Sequence, residues 1–225
     1  MGLRTLLGLK KKPEPDYLNE SYSQEGEDGI LGRFFEGRQK GYFIDIGAHH
    51  PKRFSNTYKF YKMGWRGINI DAMPGSMELF KRIRPEDINL EIPVSDHTET
   101  VTFYIFNEPA LNTFIPEIAH ERDGEKGYRI EKTIEVQTRG LQDILNEYLP
   151  GNQSVDFLTI DAEGYDFRIL QSNNWDKIRP TLVLVESELD FEAFFKSDLY
   201  AYMLKQNYEF YAKTCRTYFL KNIDS

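Results

Sequence analysis

Cysteine is nearly missing from this chain: Cys215 is the sole one among 225 residues. One thiol excludes an intrachain disulfide and a thiolate metal cluster. It suits a reducing, cytoplasmic setting, which is the compartment expected here. Long apolar runs are missing too, and none nears the roughly 20 residues needed to span a bilayer. Positive charge is not in excess: 28 Lys and Arg against 36 Asp and Glu leave a net charge of −8. A nonspecific nucleic-acid binder would show a basic surplus, so nucleic acid is not an expected partner. Internal repeats and low-complexity segments are absent. So are the GxGxxG turn of dinucleotide sites and a Walker-type loop.

At the N-terminus, MGLRTLLGLKKKPEP sets Leu3, Leu6, Leu7 and Leu9 around Arg4 and ahead of Lys10 to Lys12. The apolar part is too short and broken for a signal peptide. Residues 1–20 read as a frayed tail, with a short amphipathic helix touching an anionic membrane as the alternative. Residues 21–225 are expected to form one domain, because 40% hydrophobic residues in a chain of this length suffice for a single core.

What the chain does have is a set of short apolar runs that end in an acid. Residues 41–51 read GYFIDIGAHHP; Tyr42, Phe43, Ile44 and Ile46 flank Asp45, and a small-residue turn follows at once. Residues 67–71 (GINID), 155–161 (VDFLTID) and 181–186 (TLVLVE) repeat the pattern. Continuous apolar runs of this length suit strands buried on both faces of a parallel sheet. Residues 55–63, 75–83, 141–148 and 165–171 have helical character and alternate with them, which predicts βαβ units. Asp45, Asp71, Asp161 and Glu186 then gather at one sheet edge, where ligands bind.

Residues 88–93 fit a further strand, and 100–106 an added antiparallel strand, with weaker alternation at 133–138. Residues 190–206 predict a helix, followed by two short strands at 208–213 and 217–221 that form a hairpin. The expected fold is thus α/β: a Rossmann-like sheet of the class I methyltransferase type, mostly parallel with a C-terminal antiparallel hairpin. The polar stretch 107–132 is long enough to be a lid; residues 111–114 are expected to be ordered near the site and 121–128 mobile.

The turn Gly47-Ala48-His49-His50-Pro51 has a single glycine and cannot cradle a pyrophosphate. Carboxylates instead suit a cofactor with a sulfonium, an ammonium and ribose hydroxyls, such as S-adenosylmethionine. Asp71 lies 24 residues beyond Gly47, near the roughly 20-residue spacing of a ribose-binding acid.

Six pieces in order resemble the FkbM family of S-adenosylmethionine-dependent methyltransferases. They are SYSQEGEDGIL (21–31), FIDIGAHHP (43–51), FSNTYKFYKMGWRGINIDAMP (54–74), VSDHTETVTF (94–103), LTIDAEGYDFRIL (158–170) and PTLVLVE (180–186). Asp71 stands where many relatives carry glutamate, a change that keeps the charge. The resemblance implies that Asp45 and Gly47 meet the methionine end, Asp71 the ribose and Asp96 the adenine, with Ala48, Ala72 and Ser95 also binding the cofactor. It also implies that one of Gln24, Glu27 and Asp28 folds over the cofactor, with Asp161 beside it.

Methyl transfer to a hydroxyl needs alignment and a proton acceptor. The candidates are Asp161, Glu163 and Glu186, together with His49 and His50, whose rings titrate near neutrality. His49 and His50 could equally just finish the turn. The three acids also raise the option of a divalent cation such as Mg²⁺, although no tight ligand motif is present. The activity implied is O-methylation of a sugar, glycan or small-metabolite acceptor. The alternative is an inactive binding or accessory protein of a polysaccharide pathway that keeps the fold.

Overall fold

The computed structural model describes residues 17–224. The leucine- and lysine-bearing segment 1–12, with its membrane-contact alternative, lies outside the described residues, as does most of the tail expected over 1–20. No helix among the described residues is long and apolar enough to cross a membrane.

In chain order, α1 (Glu27–Phe34) leads to β1 (Tyr42–Ile46), α2 (Tyr58–Met63), β2 (Arg66–Asp71), α3 (Ser76–Ile83) and β3 (Ile88–Glu91). Next come β4 (Val94–Ser95), β5 (Thr100–Phe106), α4 (Pro116–Arg122), β6 (Ile130–Gln137), β7 (Arg139–Gly140) and α5 (Leu141–Tyr148). The remainder is β8 (Phe157–Ile160), α6 (Asp166–Gln171), β9 (Leu182–Glu186), α7 (Phe191–Phe195), α8 (Asp198–Lys205), β10 (Tyr208–Lys213) and β11 (Thr217–Asn222).

Seven strands form the main sheet in the order β10-β11-β9-β8-β1-β2-β3. The β1–β2, β2–β3, β1–β8 and β8–β9 pairs are parallel, whereas β11 runs antiparallel to both β9 and β10. This is the mostly parallel sheet with a C-terminal hairpin that the acid-ended runs predict. All five residues of β1 are buried, which is why its sequence runs apolar without alternation. Ile44 and Ile46 join the larger core with Leu158, Ile160, Val183 and Val185. Phe43, on the other face, packs with Phe60, Trp65 and Phe157.

Strand order reverses between β1 and β8, so the connections leaving them diverge and open a crevice at the carboxyl edge. Gly47 sits in that opening with φ 76°, and a Cβ there would overlap the carbonyl oxygen of Asp161. Only glycine lets the ends of β1 and β8 come so close.

Two expectations need correction. Residues 100–106 do form an antiparallel strand, but β5 pairs with β6 in a ribbon separate from the main sheet. The single helix over 190–206 is two helices: Asp190 caps α7 through Ala193 N–H, and Ser197 caps α8 through Tyr200 N–H. A serine N-cap satisfies the second helix's free amides and so restarts the chain. The 121–128 stretch holds the end of α4 and a 3₁₀ turn at Glu125–Gly127, tied by Ile130 N–H to Asp123 and by Arg122 to Glu163.

Candidate active site

The crevice is a cleft of about 940 Å³ whose rim holds the ends of four strands: Gly47 after β1, Asp71 at the end of β2, Asp161 after β8 and Glu186 at the end of β9. Ile92, Val94, Phe103, Leu111, Phe114 and Ile169 give it an apolar wall, and Gln24 and Ala72 line it as well. The 111–114 segment thus stands at the site as expected.

Asp71 is fixed by the backbone on both oxygens: Oδ2 accepts His49 N–H at 2.8 Å, and Oδ1 accepts Met73 N–H at 2.8 Å. Burial pushes its carboxyl above the ordinary range, and the two amides pull it back. His49 adopts φ 51° and lines the cleft, its ring near Arg53 and stacked on Phe54. Burial, then Arg53, holds the imidazole below its usual pKa, so the ring is neutral at pH 7. His50 does not line the cleft. Its Nδ1 accepts Lys52 and Arg53 N–H at 3.0 and 2.9 Å, bonds that close the turn.

Asp161, Glu163 and Glu186 bring carboxylate oxygens within 4.8 Å of one another. Oδ1 of Asp161 is buried and has no hydrogen-bond partner among the described residues. Burial, then the charge of Glu186, pushes Asp161 well above the usual carboxylate range. Asp166, just behind, is pushed up to about 7, first by burial and then by Glu186. Glu163 takes φ 48° and pairs with Arg122 at 2.8 Å; burial raises it while Arg122 lowers it. Glu186 faces Arg216 at 3.5 Å, and Arg216 also holds Glu25. Glu163 and Glu186 therefore already face guanidinium groups, with Arg216 shared between Glu186 and Glu25.

Several expected residues lie elsewhere. Asp45 does not line the cleft. It lies under the turn, where its Oδ2 accepts Thr57 Oγ1–H at 2.6 Å, in a buried network with Arg84 and Asp87. Strand alternation causes this, because Asp45 shares the face of Phe43, not that of Ile44 and Ile46. Its carboxyl is pushed up to about 6 by burial, with Thr57 and Arg84 opposing. Ala48 packs on Met77 and Phe80.

Of the N-terminal trio, Gln24 alone reaches this cleft. Asp28 is buried and accepts Ser21 Oγ–H and Tyr22 N–H, both at 2.7 Å, while Glu27 accepts Thr214 Oγ1–H at 2.7 Å. Ser95 and Asp96 also stand off the cleft: Ser95 Oγ–H donates to Asp96, which accepts Arg168 Nε–H at 2.9 Å. Burial alone would raise Asp96, but Ser95 and Arg168 outweigh it and hold the carboxyl low.

Sequence reading missed Arg216 and Arg122. Arg216 sits in the hairpin turn and Arg122 in the polar stretch, and no local signal marks either. A second cleft, of about 1660 Å³, opens beside the first and shares Leu111, Glu163, Glu186 and Arg216 with it.

A mostly parallel α/β sheet with a cleft at its switch point, ringed by strand-end acids, defines a protein of the small-cofactor-binding type. The methyltransferase FkbM domain matches residues 45–210, and the chain belongs to that family. The family reading of the sequence motifs therefore holds, and membership implies use of S-adenosylmethionine. A solved structure assigned as an RNA methyltransferase, from Pyrococcus horikoshii, is 10% identical over 97% of this chain and 96% of that one, with a TM-score of 0.47. Another, assigned as a class I S-adenosylmethionine-dependent methyltransferase from Listeria monocytogenes, is 9% identical over 92% of this chain and 63% of that one, with a TM-score of 0.41. No protein of curated function matches the sequence.

Proposed function

We propose that this chain is an S-adenosylmethionine-dependent methyltransferase acting on a hydroxyl of a sugar, glycan or small metabolite, in the cytoplasm. The observation that carries the reading is the partnerless, buried Asp161 Oδ1 in the first cleft, an acceptor oxygen that folding alone leaves unused. A buried polar atom without a partner is costly, and a ligand donor relieves that cost.

The donor set fits the cofactor. Asp71 is oriented by one amide on each oxygen and lines the cleft, which places its carboxylate for a ribose hydroxyl. Val94, Phe103 and Phe114 offer an apolar wall for the purine, and Gln24 and Gly47 line the end suited to the methionine part. When bound, the cofactor supplies an electrophilic methyl carbon on a sulfonium that is already a good leaving group. The chain's own task is then to orient the acceptor and take its proton. Asp161, sharing its surroundings with Glu186, is the group placed to accept that proton, with neutral His49 as the other base facing the cleft. The inactive accessory reading has no structural observation in its favour.

Calorimetry with S-adenosylhomocysteine tests the proposal. The wild-type chain should bind it, and Asp71→Asn should bind about tenfold more weakly or worse, given the usual worth of a charge-assisted hydrogen bond. A folded protein that gives no binding heat would sink the reading.

A further inference from the structure

The second cleft, of about 1660 Å³, lies beside the first and is lined by neither Gly47 nor Asp71. It opens between α4 with the Glu125–Gly127 turn on one side and Glu188 with α8 on the other. Its inner end meets the cofactor cleft at Leu111, Glu163, Glu186 and Arg216, so a molecule lying in it presents a group to the Glu163 and Glu186 carboxylates that the two clefts share. Gly164 and α4 set its floor. A Cβ at Gly164 would lie 2.5 Å from Ile115 Cδ1, so α4 is seated tightly against the loop after β8.

The charges around this cleft fall into two groups. Those at the inner end are paired: Arg122 with Glu163, and Arg216 with both Glu25 and Glu186. Those at the mouth are not. Glu121, Glu125 and Glu188 are exposed and have no ion-pair partner among the described residues, against one equally free cation, Lys126. Phe167, Leu199 and Tyr128 stand between the two groups and provide apolar contact for a ring face.

We propose that this second cleft is the acceptor site, and that its unbalanced acidic mouth selects an amine-bearing polyhydroxyl acceptor and repels a phosphorylated or carboxylated one. This rests on the methyltransferase reading above and names the substrate class for it. A cationic amine at the mouth meets three free carboxylates, while the hydroxyl to be methylated lies at the inner end. An anionic acceptor meets the same field with the opposite sign.

The test uses a trimer of glucosamine and its N-acetylated counterpart, which share shape and hydroxyls and differ in charge. Calorimetry is run at low salt on the protein saturated with S-adenosylhomocysteine. The amine trimer should bind about tenfold more tightly, the combined worth of a few exposed charge pairs. The advantage should shrink with added salt. The triple variant Glu121→Gln, Glu125→Gln, Glu188→Gln should abolish the preference while leaving S-adenosylhomocysteine affinity unchanged. Equal binding of the two trimers, binding of neither, or a preference that survives in the triple variant would each overturn the proposal. Loss of S-adenosylhomocysteine binding by the wild-type chain would instead overturn the cofactor reading, so the two failures are told apart.

Discussion

A methyl group added at position 47 has no room. The backbone is at φ 76° and the new carbon would overlap Asp161 O, so Gly47→Ala combines backbone strain with a steric clash. It should lower stability by about 2 kcal/mol or more in urea unfolding. Gly64→Ala is the control: φ is also positive, at 99°, but open space surrounds its Cβ, and the loss should be smaller. Glu186 offers a second residue-scale test. Its charge pushes the Asp161 carboxyl upward, so Glu186→Gln should move the Asp161 titration to lower pH. Carboxyl ¹³C NMR, or the acid limb of the transfer rate, reads this shift. No shift, or a shift upward, would remove Glu186 as the cause of the raised carboxyl and weaken Asp161 as the base.

The segment before α1 shows how an element carries a side chain to the site. Asp28, in the first turn of α1, gathers Ser21 Oγ–H, Tyr22 N–H and Ser23 Oγ–H, and that clasp holds Gln24 over the cleft. Asp28→Ala strands a backbone donor, costing about 1–3 kcal/mol. Hydrogen exchange at residues 21–26 should speed up and S-adenosylhomocysteine affinity should fall, while α5 and β8 stay protected. Normal exchange in that segment would show that the clasp does not matter.

Elements of the sheet were legible in sequence because burial on both faces leaves an unbroken apolar run, and a strand-end acid marks the edge. Asp71, Asp161 and Glu186 followed from that marking. Asp45 did not, since one residue of alternation turned it to the far side, and period two is hidden when every residue is buried. Arg122 and Arg216 were invisible, because their partners Glu163 and Glu25 lie far along the chain and charge pairing at a distance leaves no local pattern.

Across the whole molecule, buried acids tilt stability with pH. Asp45 and Asp166 are raised to about 6 and about 7, and Asp161 well above its ordinary value, so the folded state holds protons that the unfolded chain has released. Stability from such groups is complete below the unfolded pKa and is lost as pH rises through the folded one. His49 and His50, both lowered, act in the opposite sense, but only below their unfolded value of 6.5. Between pH 6.5 and 8 the acids are left to decide, so the urea midpoint should fall as pH rises; a flat or rising midpoint would refute it.

The strand order has one more consequence, in the time domain. β11 follows every other strand among the described residues, yet it lies inside the sheet between β9 and β10, and its turn supplies Thr214 and Arg216 to Glu27 and Glu25. On the ribosome, the N-terminal strands emerge first and wait. Until residues 217–222 arrive, the side of β9 is a bare edge of the kind that pairs with other chains. A translation product cut short before Thr217 is thus an aggregation hazard, and its crevice lacks the latch that Thr214 and Arg216 make with Glu27 and Glu25.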